Sequence, residues 1–415
     1  MSASRKDPPP PATAAPAGLR ASAPAGAPAA APAGAIAAQP LWARVRTPLL
    51  ILAGNRFALF LLCFLGLALV PTVTHPWRAF PRDLFLDGWF RWDAGWYLRV
   101  ATQGYDPIPG DQQPTNFFPL YPLLIRLFAP LFGSPYIAGF VISNASLALA
   151  VVWLHRFVAR EHGRDIADRT LLLLLCNPFA YAYSAMYTES LFLLGIAGAF
   201  VFATEERWLF ASLCAAAAGA TRLVGILAMM PVGLYYLRSR GWRWNQRGRL
   251  DPQALFLPLG AAGLVAHMIF LGAKFGRPLA FLDAQWVGGG WGNDMTWSSL
   301  MTLLSAITSW STLAAGKFEV NELSNLTVAL LALLVLSLTA RRIGWIPALW
   351  AFATLAISLR IWKGAGRYSA VIFPVSIGGA ILTENRPLLF QSWLTASTLL
   401  LALLLYAFSH GQWIC

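Results

Sequence analysis

Five of the chain's 18 acids, Asp83, Asp87, Asp93, Asp106 and Asp111, crowd into one stretch rich in tryptophan and tyrosine. Its densest part reads Asp87-Gly-Trp-Phe-Arg-Trp-Asp93-Ala-Gly-Trp-Tyr97. Nearly everything around it is apolar. Carboxylates kept beside membrane-spanning segments are costly, so they mark a site. On a helix, Asp93 and Tyr97 share one face at i,i+4, while Trp92 and Trp96 share another. One face would anchor at the membrane surface, and the other would present a carboxylate to a cavity. Asp93 is then a candidate general base, able to take the proton from an acceptor hydroxyl. The bland alternative is an interfacial helix cap, or an ion pair with Arg91 or Arg99. Asp87 is the rival base. It leaves the Asp93 face unless the helix breaks at Gly88.

The elements that position these residues follow from composition. Hydrophobic residues make up 57% of the 415 and charged residues 12%, against about 25% charged in a soluble domain. The apolar residues come in runs long enough to cross a bilayer. The expected fold is an all-α polytopic membrane protein with about eleven transmembrane helices. The net charge of +13 comes from basic residues spread through short loops between spans. That is the positive-inside pattern rather than a nucleic-acid stripe. Only four of the basic residues are lysine, and with abundant alanine this suggests a bacterial, GC-rich source. Cys63, Cys176 and Cys214 fall inside predicted spans and have no metal spacing. His155 and His162 lack an acid that would complete a site. No metal and no cofactor are assigned.

Residues 1–40 are Pro/Ala/Gly repeats and read as a disordered tail before a transmembrane domain at 41–415. Arg44 and Arg46 keep the N-terminus cytoplasmic. The first span is expected near 48–70, and the first outer loop covers 71–133. That loop is too apolar to be free, so short helices should lie in the interface there. Spans follow near 135–154, 170–184 and 189–204. Residues 208–237 are too long for one span and have both ends inside, so they should form a hairpin with its tip at Gly219–Arg222. Spans near 253–273, 326–340, 344–361, 369–383 and 388–408 complete the chain, with a second outer loop at 274–325 and an outer C-terminus.

Every arginine cluster satisfies this topology except two. Arg222 and the Arg360, Lys363, Arg367 group both fall on the outer side. Two exceptions on one face point to anion binding there. An arginine within a bundle is a functional candidate. Other groups are ambiguous. Glu189 opens a predicted span, either as a favourable acid at a helix N-terminus or as a contact to a sugar hydroxyl. Asn116, Phe117, Phe118 and Tyr121 could line a groove or anchor at the interface. The same choice holds for Trp286, Trp291 and Trp297 of the second outer loop. Asn177 before Pro178 reads as a kink partner.

The stretch Arg91-Trp-Asp-Ala-Gly-Trp-Tyr-Leu-Arg-Val-Ala-Thr-Gln-Gly-Tyr105, followed by Asn116-Phe-Phe-Pro-Leu-Tyr-Pro122, resembles the GPI mannosyltransferase 2 (PIG-V) family. Asn177-Pro178, Tyr187-Thr-Glu189-Ser-Leu-Phe192, Ala218-Gly-Ala-Thr-Arg222 and Gly366-Arg367-Tyr368 through Pro374 match its later motifs in order. The resemblance covers about 80 to 380. Pro107–Gln113 is an insert relative to that pattern. The resemblance implies a GT-C type glycosyltransferase, most simply a mannosyltransferase. Such an enzyme takes its sugar from a polyprenyl-phosphate donor at the outer face by inverting displacement. The family's acid maps onto Asp93 as base. Arg222, Arg367 and Lys363 are then candidates to bind the donor phosphate, and Trp92, Tyr97, Asn116, Tyr187 and Glu189 to contact sugar or acceptor. The acceptor would be a glycolipid, polysaccharide or protein, and the site of action the bacterial inner membrane facing outward. A transporter or flippase of lipid-linked saccharides is the alternative. It would usually show repeated sets of spans, which the sequence lacks. A catalytically inactive lipid-binding scaffold is the third reading.

Overall fold

The computed structural model describes residues 41–70, 78–80, 82–106, 113–243, 245–246, 249–286, 301, 309, 320–360 and 364–414. The expected disordered tail, most of the Pro107–Gln113 insert, Lys363, Trp291 and Trp297 lie outside these residues. The chain is helical. A two-residue antiparallel ladder, Asn245–Gln246 with Arg249–Leu250, is the extended exception among the described residues.

In chain order the helices are α1 (Leu41–Leu69), α2 (Leu84–Asp87), α3 (Asp93–Gln103), α4 (Leu120–Phe132), α5 (Pro135–His162), α6 (Arg164–Leu175), α7 (Glu189–Thr204) and α8 (Trp208–Thr221). There follow α9 (Met229–Ser239), α10 (Ala262–Phe275), α11 (Ala280–Trp286), α12 (Val320–Ile343), α13 (Trp345–Arg360), α14 (Ala365–Ala370), α15 (Phe373–Leu382) and α16 (Pro387–Ser409). Among the described residues, five apolar segments are long enough to cross a bilayer: Val45–Leu69, Pro135–His162, Pro252–Phe275, Asn321–Ile343 and Pro387–Ser409. This is a multi-pass membrane protein. Each of the five falls on a span read from the sequence. The spans expected near 189–204, 344–361 and 369–383 are shorter apolar helices.

The span expected at 170–184 differs more. Helix α6 stops at Leu175, and the chain continues through a short 3-10 turn, Ala180–Tyr183, to Glu189. Pro178 is the physical reason: it donates no backbone hydrogen bond and disfavours helix in the residue before it. Asn177 receives the amide of Phe179 on its side-chain oxygen (3.0 Å). The chain therefore reaches the start of α7 with non-helical backbone buried in protein, where membrane proteins tolerate it.

Helix α7 is buried along nearly its whole length. It packs against α5 and α8. Gly195 lies against Ala218, and Gly198 against Trp153 and Cys214. Small residues let helices approach closely where apolar burial gives little net drive. The break inside 208–237 falls where expected. Helix α8 ends at Thr221, Arg222 takes an extended conformation (φ −154°, ψ 150°), and a 3-10 segment, Leu223–Ala228, folds back onto α8. There a Cβ added at Gly225 would collide with the Ala218 carbonyl and the Gly219 amide of the backbone. Gly225→Ala should therefore lower stability by about 1–3 kcal/mol, as overpacking does. A thermal unfolding curve in detergent would measure it.

In the segment between α1 and α4, Asp83 caps α2 by accepting the amide of Leu86 (3.1 Å). Asp87, fully buried, accepts from Arg91 Nη2 (2.8 Å), Arg78 Nε (3.0 Å) and the Phe80 amide (3.1 Å). Burial opposes its ionisation, but these hydrogen bonds outweigh it and hold the carboxyl below the usual carboxylate range. A depressed folded-state pKa gives stability that is present above the unfolded value, about 3.9, and is lost as pH falls through the folded one. Asp87→Ala should destabilise the protein by about 3–5 kcal/mol at neutral pH, because Arg91 is left buried and unpaired. The gap between variant and wild type should narrow below about pH 4, read from denaturation midpoints across pH.

Candidate active site

Four charged side chains from four distant segments meet. Asp93, the first residue of α3, accepts from Arg367 Nη1 at 2.7 Å. Arg367 Nε lies 3.4 Å from Glu189 Oε1, and Arg222 Nη2 donates to that same oxygen at 2.8 Å. The Glu189 side chain is 1% exposed, Arg367 6%, Arg222 11% and Asp93 19%. The buried charges are compensated two against two, as burial requires. Asp93 is the most open of the four. Two buried polar atoms, Glu189 Oε2 and Arg222 Nη1, have no hydrogen-bond partner among the described residues.

Aromatic rings hold the cations. The Arg222 guanidinium sits 4.7 Å from the Tyr368 ring centre, and Arg367 sits 5.0 Å from Tyr187 and 5.4 Å from Tyr368. Such contacts favour a guanidinium by electrostatic attraction to the ring face. Each member is also fixed in its backbone. Arg367 rides on α14, whose Gly366 amide donates to Asn325 Oδ1 on α12 (2.7 Å), while Tyr183 donates its hydroxyl to Ala370 O (2.7 Å). Arg222 is placed by the break after α8. Glu189 opens α7, where an acid is favoured by the helix dipole. Tyr187 donates to the Arg91 carbonyl (3.2 Å), and the Tyr97 hydroxyl pairs with Thr188 Oγ1 (3.0 Å). Burial pushes the Tyr97 phenol up, so it stays protonated near neutrality.

Of the residues singled out from the sequence, Asp93, Glu189, Arg222 and Arg367 come together, with Tyr97 and Tyr187 against them. Asp93 pairs with Arg367, rather than with Arg91 or Arg99 as the bland reading had it. Asp93 and Tyr97 do share α3. Trp92 does not: it precedes the helix with φ 52° and ψ −109°, so it shares no helical face with Trp96. Its indole instead donates to the Gln412 carbonyl (3.0 Å). Trp96 stacks on Phe117 (5.6 Å), which also packs edge-on against Tyr97. Half-buried Asn116 ends the 3-10 turn Pro114–Asn116 beside Phe117. Asp87 belongs to the separate network with Arg78 and Arg91. Among the described residues, no three His, Cys, Asp or Glu side chains gather as a metal site. The sequence reading passed over Tyr368 and Asn325. Tyr368 had a signal, its place in Gly366-Arg367-Tyr368.

The profile of the family described as mannosyltransferase (PIG-V) matches residues 79–337, well over half of the chain. The chain belongs to the mannosyltransferase (PIG-V) family. Asp93, Glu189 and Arg222 fall within the stretch that matches the PIG-V family; Arg367 lies beyond it. No curated protein matches the chain in sequence. Among solved structures, the PIG-V family chain is similar to ArnT from Cupriavidus metallidurans bound to undecaprenyl phosphate, at 15% identity and a TM-score of 0.49, over 83% of this chain and 62% of that one. The apo state of the same ArnT matches at 15% identity and 0.44, over 72% and 56%. The chain thus spans about three fifths of the length of these solved chains.

Proposed function

We propose that this chain is a glycosyltransferase that moves a mannosyl group from a polyprenyl phosphate to an acceptor hydroxyl at the outer face of the membrane. The meeting of Asp93, Glu189, Arg222 and Arg367 carries the reading, and membership of the mannosyltransferase (PIG-V) family supports it.

Asp93 takes the acceptor proton as general base. The acceptor oxygen attacks the anomeric carbon, the bond to the phosphate oxygen breaks, and the configuration inverts. Charge grows on the departing lipid phosphate. Fixed cations aimed at that charge lower the barrier, and the planar arginine fork suits phosphate oxygens. Arg222 can give its unspent Nη1 to the phosphate without releasing Glu189. Arg367 is held by Asp93. An incoming phosphate competes for that guanidinium and so frees the Asp93 carboxylate as the reaction needs it. Glu189 Oε1 keeps the arginines in place, and Oε2 is left to accept a sugar hydroxyl.

Lys363 is a third cation for the phosphate. Tyr97, Asn116 and Tyr187 line the sugar or acceptor side, whereas Trp92 directs its indole to the Gln412 carbonyl. The reading assigns no metal: the lipid phosphate is met by arginine, and there is no nucleotide pyrophosphate to neutralise. The acceptor is a glycolipid, polysaccharide or protein. The protein would sit in a bacterial inner membrane with its N-terminus cytoplasmic.

The test is transfer of radiolabel from polyprenyl-phosphate mannose to a membrane extract, in EDTA. A new glycosidic product is expected. Accumulation of the lipid-linked sugar in sealed vesicles without such a product would instead mean transport.

A further inference from the structure

The segment that follows α16 is buried against the first outer loop. Ser409, His410 and Ile414 are all buried. Three carbonyls from Ser409, the last residue of α16, onward accept side-chain hydrogen bonds. Arg91 Nε donates to Ser409 O (3.1 Å), Trp92 Nε1 to Gln412 O (3.0 Å), and the Tyr181 hydroxyl to Ile414 O (2.7 Å). His410 Nε2 adds a contact with the Val70 carbonyl at the end of α1 (3.0 Å).

Two of the donors, Arg91 and Trp92, immediately precede Asp93. Trp92 has φ 52° and ψ −109°. A residue with a bulky side chain keeps a positive φ only where its surroundings over-determine it. The surroundings here are identifiable. The Arg91 side chain is tied to Asp87 and to Ser409, and the Arg91 carbonyl accepts from Tyr187. The Trp92 indole is tied to Gln412. Helix α3 begins one residue later, so the dihedrals of Trp92 set the direction in which Asp93 leaves the chain.

We propose that Ser409–Ile414 is a positioning strap that holds Trp92 in its strained conformation and so aims Asp93 at the ionic cluster. This rests on Asp93 acting as the base. Neither Trp92 nor the strap touches the reacting atoms in this account; both act through Asp93.

The strap is tested with wild type, Trp92→Phe, which keeps a ring but loses the indole donor, and a chain ending at Gly411. Deuterium uptake of peptides across 89–97 should rise in both variants. kcat for mannosyl transfer should fall about tenfold or more, since small misplacements of a catalytic group are costly, while donor KM stays unchanged. If the shortened chain does not fold, Trp92→Phe alone decides. Unchanged uptake and kcat would overturn the strap, and so would a rise in KM equal to the fall in kcat. If wild type transfers no sugar, the functional reading fails, and deuterium uptake still decides whether the segment orders Asp93.

Discussion

Asp93→Asn should reduce sugar transfer by about 10²–10⁴-fold, the range general base catalysis contributes, with the fold intact. The substitution keeps the shape of the side chain and removes its capacity to take a proton. Its effect on donor binding is equally diagnostic. Arg367 Nη1 donates to Asp93 Oδ2 at 2.7 Å, so phosphate must compete with this carboxylate. An amide holds a guanidinium less firmly, because hydrogen bonds with both partners charged are the stronger ones. Donor KM should therefore stay level or fall while kcat collapses. A KM that rises with unchanged kcat would assign Asp93 to binding instead. The same loss of kcat in an Asp87→Asn variant that remains folded would reopen the choice of base. Asp87 is fully buried and accepts from three donors, so its substitution should act first on stability.

Arg222→Lys and Arg367→Lys should each lower kcat/KM by about 10²–10³-fold, the scale for removing one fixed donor to a developing oxyanion. Lysine retains the charge and loses the planar fork. It is the cleaner change, because alanine would also leave Glu189 buried with half of its compensation gone. The two arginines share one Glu189 oxygen, so their effects should not add. The double variant should lose less than the product of the single losses. Strict additivity would mean that the two guanidinium groups act on different species and would count against a shared phosphate site. The measurement is steady-state transfer kinetics for the two single variants and the double, with thermal midpoints alongside to confirm folding.

What was legible in the sequence was local. Apolar runs placed spans near 135–154, 253–273 and 388–408, where Pro135–His162, Pro252–Phe275 and Pro387–Ser409 lie, because length and composition alone decide whether a segment can cross a bilayer. The clash between helix length and charge bias in 208–237 located the break at Arg222, where the chain does turn. Asp93, Glu189, Arg222 and Arg367 were each suspect one by one, since charge in an apolar chain is expensive. Other features depended on backbone geometry that no periodicity encodes. The expected span at 170–184 ends early at Leu175, ahead of Pro178. Trp92, assigned a helical face by its spacing from Trp96, lies outside α3 with a positive φ.

The sequence by itself determined that the chain is a helical membrane protein, and which side chains were too costly to be idle. Only the tertiary structure decided who pairs with whom. Glu189 could have been a helix-end acid alone, and Asp93 a partner of Arg91. Arg367 reaches Asp93 across most of the chain's length because α12 holds α14 through Asn325. The segment after α16 meets Trp92 because the bundle closes there. Such pairings depend on distances of a few ångströms between segments hundreds of residues apart. Spacing along the chain carries information only about neighbours within a turn or two of helix.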